Sequence, residues 1–175
     1  MARRYLAAAM LLVGAALVSA GVRSLVLSKS QLPEPPAVAV RSLPVEGESC
    51  CVLEVPRLKA RMTIVEGTRP EDLERAPGHF IRSAAPGGDG NCAISAHRDT
   101  HFRPLRKIRK GDLIRITHAG RVFEYRVRSL RVIKPSDVWI VGHTPEPTLT
   151  LLTCYPFGYI GPAPKRFAVQ ATLIR

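Results

Sequence analysis

The chain has no C-x-x-C pair, no compact acidic cluster and no internal repeat. The first absence argues against a structural zinc site, whose thiolate ligands come in closely spaced pairs. The second leaves calcium without a carboxylate cage; Glu71, Asp72 and Glu74 read more simply as the solvated face of a helix. No metal and no cofactor is expected. Cysteine is sparse. Cys50 and Cys51 are adjacent while Cys92 and Cys154 stand far apart, a pattern unlike a disulfide framework. A mean hydropathy of +0.03 argues against a multi-span membrane protein. Acidic residues are outnumbered, 14 to 26, giving a formal net charge of +12. The basic residues form no single block. They are scattered through alternating segments such as RVFEYRVRSLRVIK (121–134), which a solvated sheet face explains, so nucleic acid is not the expected partner. An exported domain close to an anionic membrane or envelope polymer fits the charge as well.

What is present starts with the N-terminus. Arg3 and Arg4 precede an apolar run from Tyr5 to Val22, broken only by glycines and Ser19. At about 18 residues it is just long enough to span a bilayer, and it has no polar face. Residues 1–24 therefore read as an uncleaved anchor, with a cleaved signal peptide as the alternative because Val18-Ser19-Ala20 resembles a cleavage site. Arg3 and Arg4 put the N-terminus inside and the remainder outside, with Arg23 and Lys29 weighing against that orientation. In either case the domain is exported. Residues 25–48, with QLPEPPAVAV and SLPVEGE, read as a proline-rich stalk. Residues 49–175 read as one globular domain.

That domain is expected to be all-β. The chain holds 15 prolines and 13 glycines, which favours short strands and loops. CVLEVPRL, ARMTIVEG, FIRSAA, CAISAH, TLTLLTC and RFAVQATLI read as strands. LIRITHAGRVFEYRVRSL alternates on both sides of a His-Ala-Gly turn and reads as a hairpin. A helix is expected over TRPEDLER, with Thr68 and Glu71 at capping-box spacing and Pro70 in the first turn. FRPLRKIRKGD holds a short helical turn stopped at Gly111. About eight short strands with one or two short helices point to a closed barrel or a sandwich.

Three residues carry candidate chemistry. In NCAISAHRDT, the faces of the strand separate Cys92, Ile94 and Ala96 from Ala93, Ser95 and His97, which leaves His97 at the strand's end. A loop can expose such a side chain over a rigid sheet. An ordinary surface histidine has the same appearance. Cys154 also ends a strand, before the loop YPFGYIGPAP. A cysteine with a histidine and a cation nearby is a recipe for nucleophilic catalysis, although a buried, inert cysteine is the commoner case. Arg166 opens the last strand on its more polar face, opposite Phe167, Val169, Ala171 and Leu173. Its planar fork suits an oxyanion or a peptide carbonyl; a solvated arginine is the plain alternative.

ISAHRDTHFRPLRKIRKGD together with TLLTCYPFGYIGPAPKRFAVQA resembles the sortases, most of all their class D branch, over roughly residues 49–175. VEGTRPEDLERAPGHF agrees with the same pattern. The chain departs from it at Ala96, where glycine is usual, at Cys92, usually a plain aliphatic, and at Ala76, often glycine. The resemblance implies an eight-stranded closed β-barrel with one or two short helices and an N-terminal membrane helix. It implies a cysteine transpeptidase on the extracytoplasmic side of a bacterial cell membrane, held by a single span. Cys154 would be the nucleophile, His97 the general acid and base, and Arg166 the oxyanion and substrate stabiliser. Thr153, Tyr155, Trp139 and Ala96 would contact substrate, and the loops 132–148 and 155–164 would wall the groove. The partners would be exported proteins with a C-terminal Leu-Pro-x-Thr-like sorting motif, and an amine acceptor on a cell-wall precursor or protein. An L,D-transpeptidase or a papain-like peptidase also uses Cys and His, but the order of His before Cys and the late arginine fit them less well. A non-enzymatic exported β-domain, binding a polymer or partner through its basic surface, is the reading from another class.

Overall fold

The computed structural model describes residues 45–174. The expected anchor and most of the stalk lie outside the described residues. Among the described residues no helix is long and apolar enough to cross a membrane.

Eight strands form the domain: β1 (Ser49–Val55), β2 (Ala60–Glu66), β3 (Gly78–His79), β4 (Asn91–Ser95), β5 (Leu113–His118), β6 (Arg121–Ile133), β7 (Thr148–Tyr155) and β8 (Lys165–Leu173). They close into a barrel in the order β1-β2-β3-β4-β7-β8-β6-β5, with β5 pairing back onto β1. Closure covers most strand edges, although β2 meets β3 through only two residue pairs, Val65 with Gly78 and Glu66 with His79. Alternation sets the inside. Leu53, Val55, Ile64, Ile94, Ile114, Ile116, Leu149, Leu151 and Val169 are completely buried. Each such side chain contributes about 1.5–3 kcal/mol on leaving water. Phe102 and Leu105, from the short 3-10 turn region after β4, plug the same core.

The expected barrel is present, and the hairpin falls where the pattern predicts it. β5 and β6 are joined by Ala119 and Gly120, with φ of 47° and 74°. Two positive φ values in succession match the twist of a tight hairpin turn, and glycine adopts them without cost. Two local expectations are corrected. FIRSAA is not a strand. Ser83 N–H closes a turn on Phe80 C=O at 2.7 Å and the Ser83 hydroxyl donates to the same oxygen, which consumes the groups a ladder would need. The pairing residues lie earlier, at Gly78 and His79. The helix, α1 (Pro70–Arg75), begins one residue later than predicted. Arg69 is its cap, and the Asp72 carboxylate reaches back to Arg69 N–H at 3.2 Å. The predicted partner Glu71 lies outside that reach, exposed at the first turn.

The topology also decides which ends meet. β4 and β7 run parallel, so their C-terminal ends lie on one rim. β8 is antiparallel to β7 and therefore starts on that rim, while β6, antiparallel to β8, ends there. Residues separated by more than 60 positions in sequence are delivered to one place by strand direction alone.

Candidate active site

That rim brings together the three residues singled out above. Cys154, next to last in β7, is the direct cross-strand partner of Arg166, the second residue of β8. Both are half-buried and lie on the outer face; their neighbours Thr153 and Phe167 point inward. On the other side of β7, Ser95 pairs with Leu152, and Ala96 N–H donates to Leu152 C=O at 3.2 Å. The next residue, His97, is exposed and falls on the same outer face as Ser95 by alternation. Three adjacent strands thus present His, Cys and Arg in that lateral order. Among the described residues no hydrogen bond joins the three side chains. Arg166 Nη1–H donates to Ala163 C=O at 3.2 Å and Lys165 C=O at 3.0 Å, which rests the guanidinium on its own loop.

Thr153 and Ala96, expected as substrate contacts, both have buried side chains. Thr153 is 2% exposed, and its hydroxyl donates to Ala96 C=O at 2.7 Å. Ala96 points into the core. The pleat fixes this: neighbours of an outward-facing residue must face inward. Thr153 therefore pins the residue before His97 to β7, and acts on position rather than on a ligand. Tyr155, inward by the same rule, stacks on Phe167 at 6.1 Å and meets Phe157 edge-on at 6.0 Å. These aromatics cap the end of the barrel beneath the rim. Trp139 is 56% exposed, with Arg131 5.7 Å from its ring centroid.

Two buried polar residues that the pattern did not single out hold the loop carrying Trp139. Asn91 donates from its side-chain amide to Ile140 C=O and Gly142 C=O, each at 3.0 Å. Thr150 in turn donates its hydroxyl to the Asn91 side-chain carbonyl at 2.7 Å. The signal was a threonine on the outer face of TLTLLTC, at a position where a solvated residue and a loop anchor look alike. Arg98 was likewise passed over as part of a polar turn, and it is buried.

The other thiols are poor rivals to Cys154. Cys92 is fully inside, and burial pushes its thiol well above the ordinary range. Cys50 is raised further by the hydrogen bond it shares with Cys51, whose sulfur lies 3.3 Å away, with burial and the Glu66 carboxylate adding to it. A thiol held protonated is a weak nucleophile. A Cys92–Cys154 bridge is excluded by register. Cys92 pairs with Leu149, five residues before Cys154. At about 3.3 Å per residue the two lie too far apart for a disulfide.

A second constellation resembles a hydrolase triad and cannot act as one. His79 Nδ1 lies 2.9 Å from the Glu66 carboxylate, and Nε2 lies 2.9 Å from Ser83 Oγ. Ser83 Oγ already donates to Phe80 C=O and accepts from Ala93 N–H. Its proton and lone pairs are committed, and His79 is buried, so the network fixes β3 to β4.

A closed eight-strand barrel thus carries Cys154 and His97 at the ends of two parallel strands, with Arg166 opening the next strand. The family model described as Sortase domain matches residues 53–174, and the chain belongs to the sortase family. It is 38% identical over 128 residues to sortase D of Bacillus subtilis, covering 72% of this chain and 64% of that protein. It is 30% identical over 106 residues to sortase A of Listeria monocytogenes, covering 58% of this chain and 47% of that protein. The chain thus spans less than two thirds of the length of either curated relative. Among solved structures, a Clostridium perfringens sortase D5 transpeptidase superposes with a TM-score of 0.69 at 31% identity, covering 75% of this chain and 82% of that one.

Proposed function

We propose that this protein is a membrane-anchored sortase, a cysteine transpeptidase that cuts a Leu-Pro-x-Thr-like sorting motif in exported proteins and passes the acyl group to an amine. The observation that carries this reading is the direct pairing of Cys154 with Arg166, with His97 one strand away on the same outer face. In this mechanism Cys154 Sγ attacks the carbonyl carbon of the scissile peptide bond. Arg166 leaves its loop carbonyls to hold the oxyanion and the substrate backbone. His97 protonates the departing amine, so the C–N bond breaks and a thioester remains on Cys154. An acceptor amine on a cell-wall precursor or protein then attacks the thioester. His97 takes its proton, the C–S bond breaks, and Cys154 is released as the thiolate beside the protonated His97 with which the cycle began. The exposed side chains of Val138 and Trp139 on one flanking loop, and of Tyr159 and Ile160 on the other, suit the apolar residues of such a motif. The apolar run from Tyr5 to Val22 would hold the domain at the outer face of the membrane as a single span.

Mass spectrometry of the domain incubated with candidate sorting peptides tests the reading. An acyl adduct on Cys154, released by an added amine with a new amide product, is the expected result. A domain that binds the peptides, forms no adduct and loses no binding on Cys154→Ala substitution would instead be a non-enzymatic binding module.

A further inference from the structure

Arg98 directly follows the exposed His97 but is itself 8% exposed. Its Nη2–H groups donate to Tyr159 C=O at 2.5 Å and Gly161 C=O at 3.2 Å, both on the β7–β8 loop. Its Nε–H donates to the Asp99 carboxylate at 3.2 Å, and the guanidinium carbon lies 5.7 Å from the Tyr159 ring centroid. Nη1 is buried with no hydrogen-bond partner among the described residues. A buried, always-charged group with one donor unsatisfied opposes folding. Among the described residues its only counter-charge is Asp99, whose side chain is 63% exposed and so screened by water. Stability alone does not account for this arrangement.

Its acceptors do. Tyr159 and Gly161 sit at the crown of the loop between Cys154 and Arg166, where Ile160 is 96% exposed. Among the described residues, no backbone hydrogen bond ties residues 156–164 to the barrel. Phe157 packs on the core and Arg166 meets Ala163 C=O, which holds the two ends of the loop. Arg98 fastens the crown between them to the segment bearing His97. Because the acceptors are backbone carbonyls, the tether does not depend on which side chains the loop carries. A forked donor can hold two carbonyls at once, which the point charge of lysine does less well.

We infer that Arg98 is a positioning residue that ties the β7–β8 loop to the segment bearing His97 and so sets the width of the groove above Cys154. The inference rests on the transpeptidase reading for its kinetic consequence, though the tether itself can be measured without turnover. The test compares wild type with Arg98→Met, an apolar side chain of similar length, and Arg98→Lys. Backbone NMR order parameters read the loop. In Arg98→Met those of residues 157–161 fall from about 0.85 to below about 0.6, with those of β4, β7 and β8 unchanged and the melting temperature equal to or above wild type. Kinetics read the groove. KM for the sorting peptide rises about tenfold with kcat within about threefold, and Cys154 alkylation by iodoacetamide stays within about twofold. Arg98→Lys falls between. Unchanged loop order parameters in Arg98→Met, or a wild-type KM in both variants, overturns the proposal. So does a collapse of melting temperature in both, which would make Arg98 a core support. If wild type itself neither turns over nor forms a thioester, the transpeptidase reading fails, and the loop order parameters still decide the tether.

Discussion

Cys154 and Arg166 are directly paired across β7 and β8, so their Cα atoms are held by the sheet and not by any contact between their side chains. Opposed residues in an antiparallel pair have Cβ atoms about 4.5–5.5 Å apart. The thiol and the guanidinium are therefore within reach of one carbonyl group without being bonded to each other. The arginine side chain rests on the Ala163 and Lys165 carbonyls, and in the proposed mechanism it would exchange them for substrate.

Arg166→Ala is expected to lower kcat/KM by about 10²–10³-fold, the range for removing an oxyanion donor, with the circular dichroism spectrum unchanged. Arg166→Lys keeps the charge but loses the fork, and recovers only part of the activity. Steady-state peptide cleavage checks both. A wild-type rate in Arg166→Ala would leave the arginine as a solvated residue.

His97→Gln is expected to cost about 10²–10⁴-fold in turnover, the usual worth of a general acid and base. Because His97 is exposed and bonds through its side chain to nothing in the described residues, the melting temperature should not move. Single-turnover assays separate the two halves of the reaction: both acylation and amine transfer should slow.

Thr153→Val removes the hydroxyl that satisfies Ala96 C=O and keeps the β-branched shape. The orphaned carbonyl costs about 1–3 kcal/mol of stability. Activity should fall along with it, because the residue before His97 is no longer pinned to β7. Thr153→Ser restores the hydroxyl and should recover most of both. Denaturant unfolding and peptide cleavage on the three proteins decide this.

Acid stability follows from two buried carboxylates. Asp112 accepts from Arg57 Nε and Nη2 at 2.5 and 2.6 Å and from Arg109 N–H, and Arg57 beside it holds its carboxyl below the ordinary range. Asp72 is held down in the same way by Arg69. A carboxyl whose pKa is depressed in the folded state contributes stability above its unfolded value of about 3.9, and loses it as pH falls through the folded value. The melting temperature should be level from neutrality to about pH 5 and fall steeply below about pH 4. Asp112→Asn should lower the melting temperature at pH 7 and make the acid fall shallower. Calorimetry between pH 7 and pH 3 checks the slope.

Much of this molecule follows from its residue pattern. Period-two alternation in LIRITH, RVFEYRV and RFAVQATLI fixed which side chains enter the barrel, because a strand has only two faces. The same rule placed His97 and Arg166 outward, and strand ends marked them as candidates. It also turns the side chains of Thr153 and Ala96 inward, since they neighbour outward-facing residues. Only the tertiary structure decided which strand ends share a rim: that depends on β4 and β7 running parallel, a non-local pairing with no sequence signal. It alone separated Ser83 and His79, committed to a buried network, from a working nucleophile and base. It alone showed that Arg98 is buried against carbonyls some 60 residues away, because a charged side chain after a strand looks the same in sequence whether it meets water or a loop.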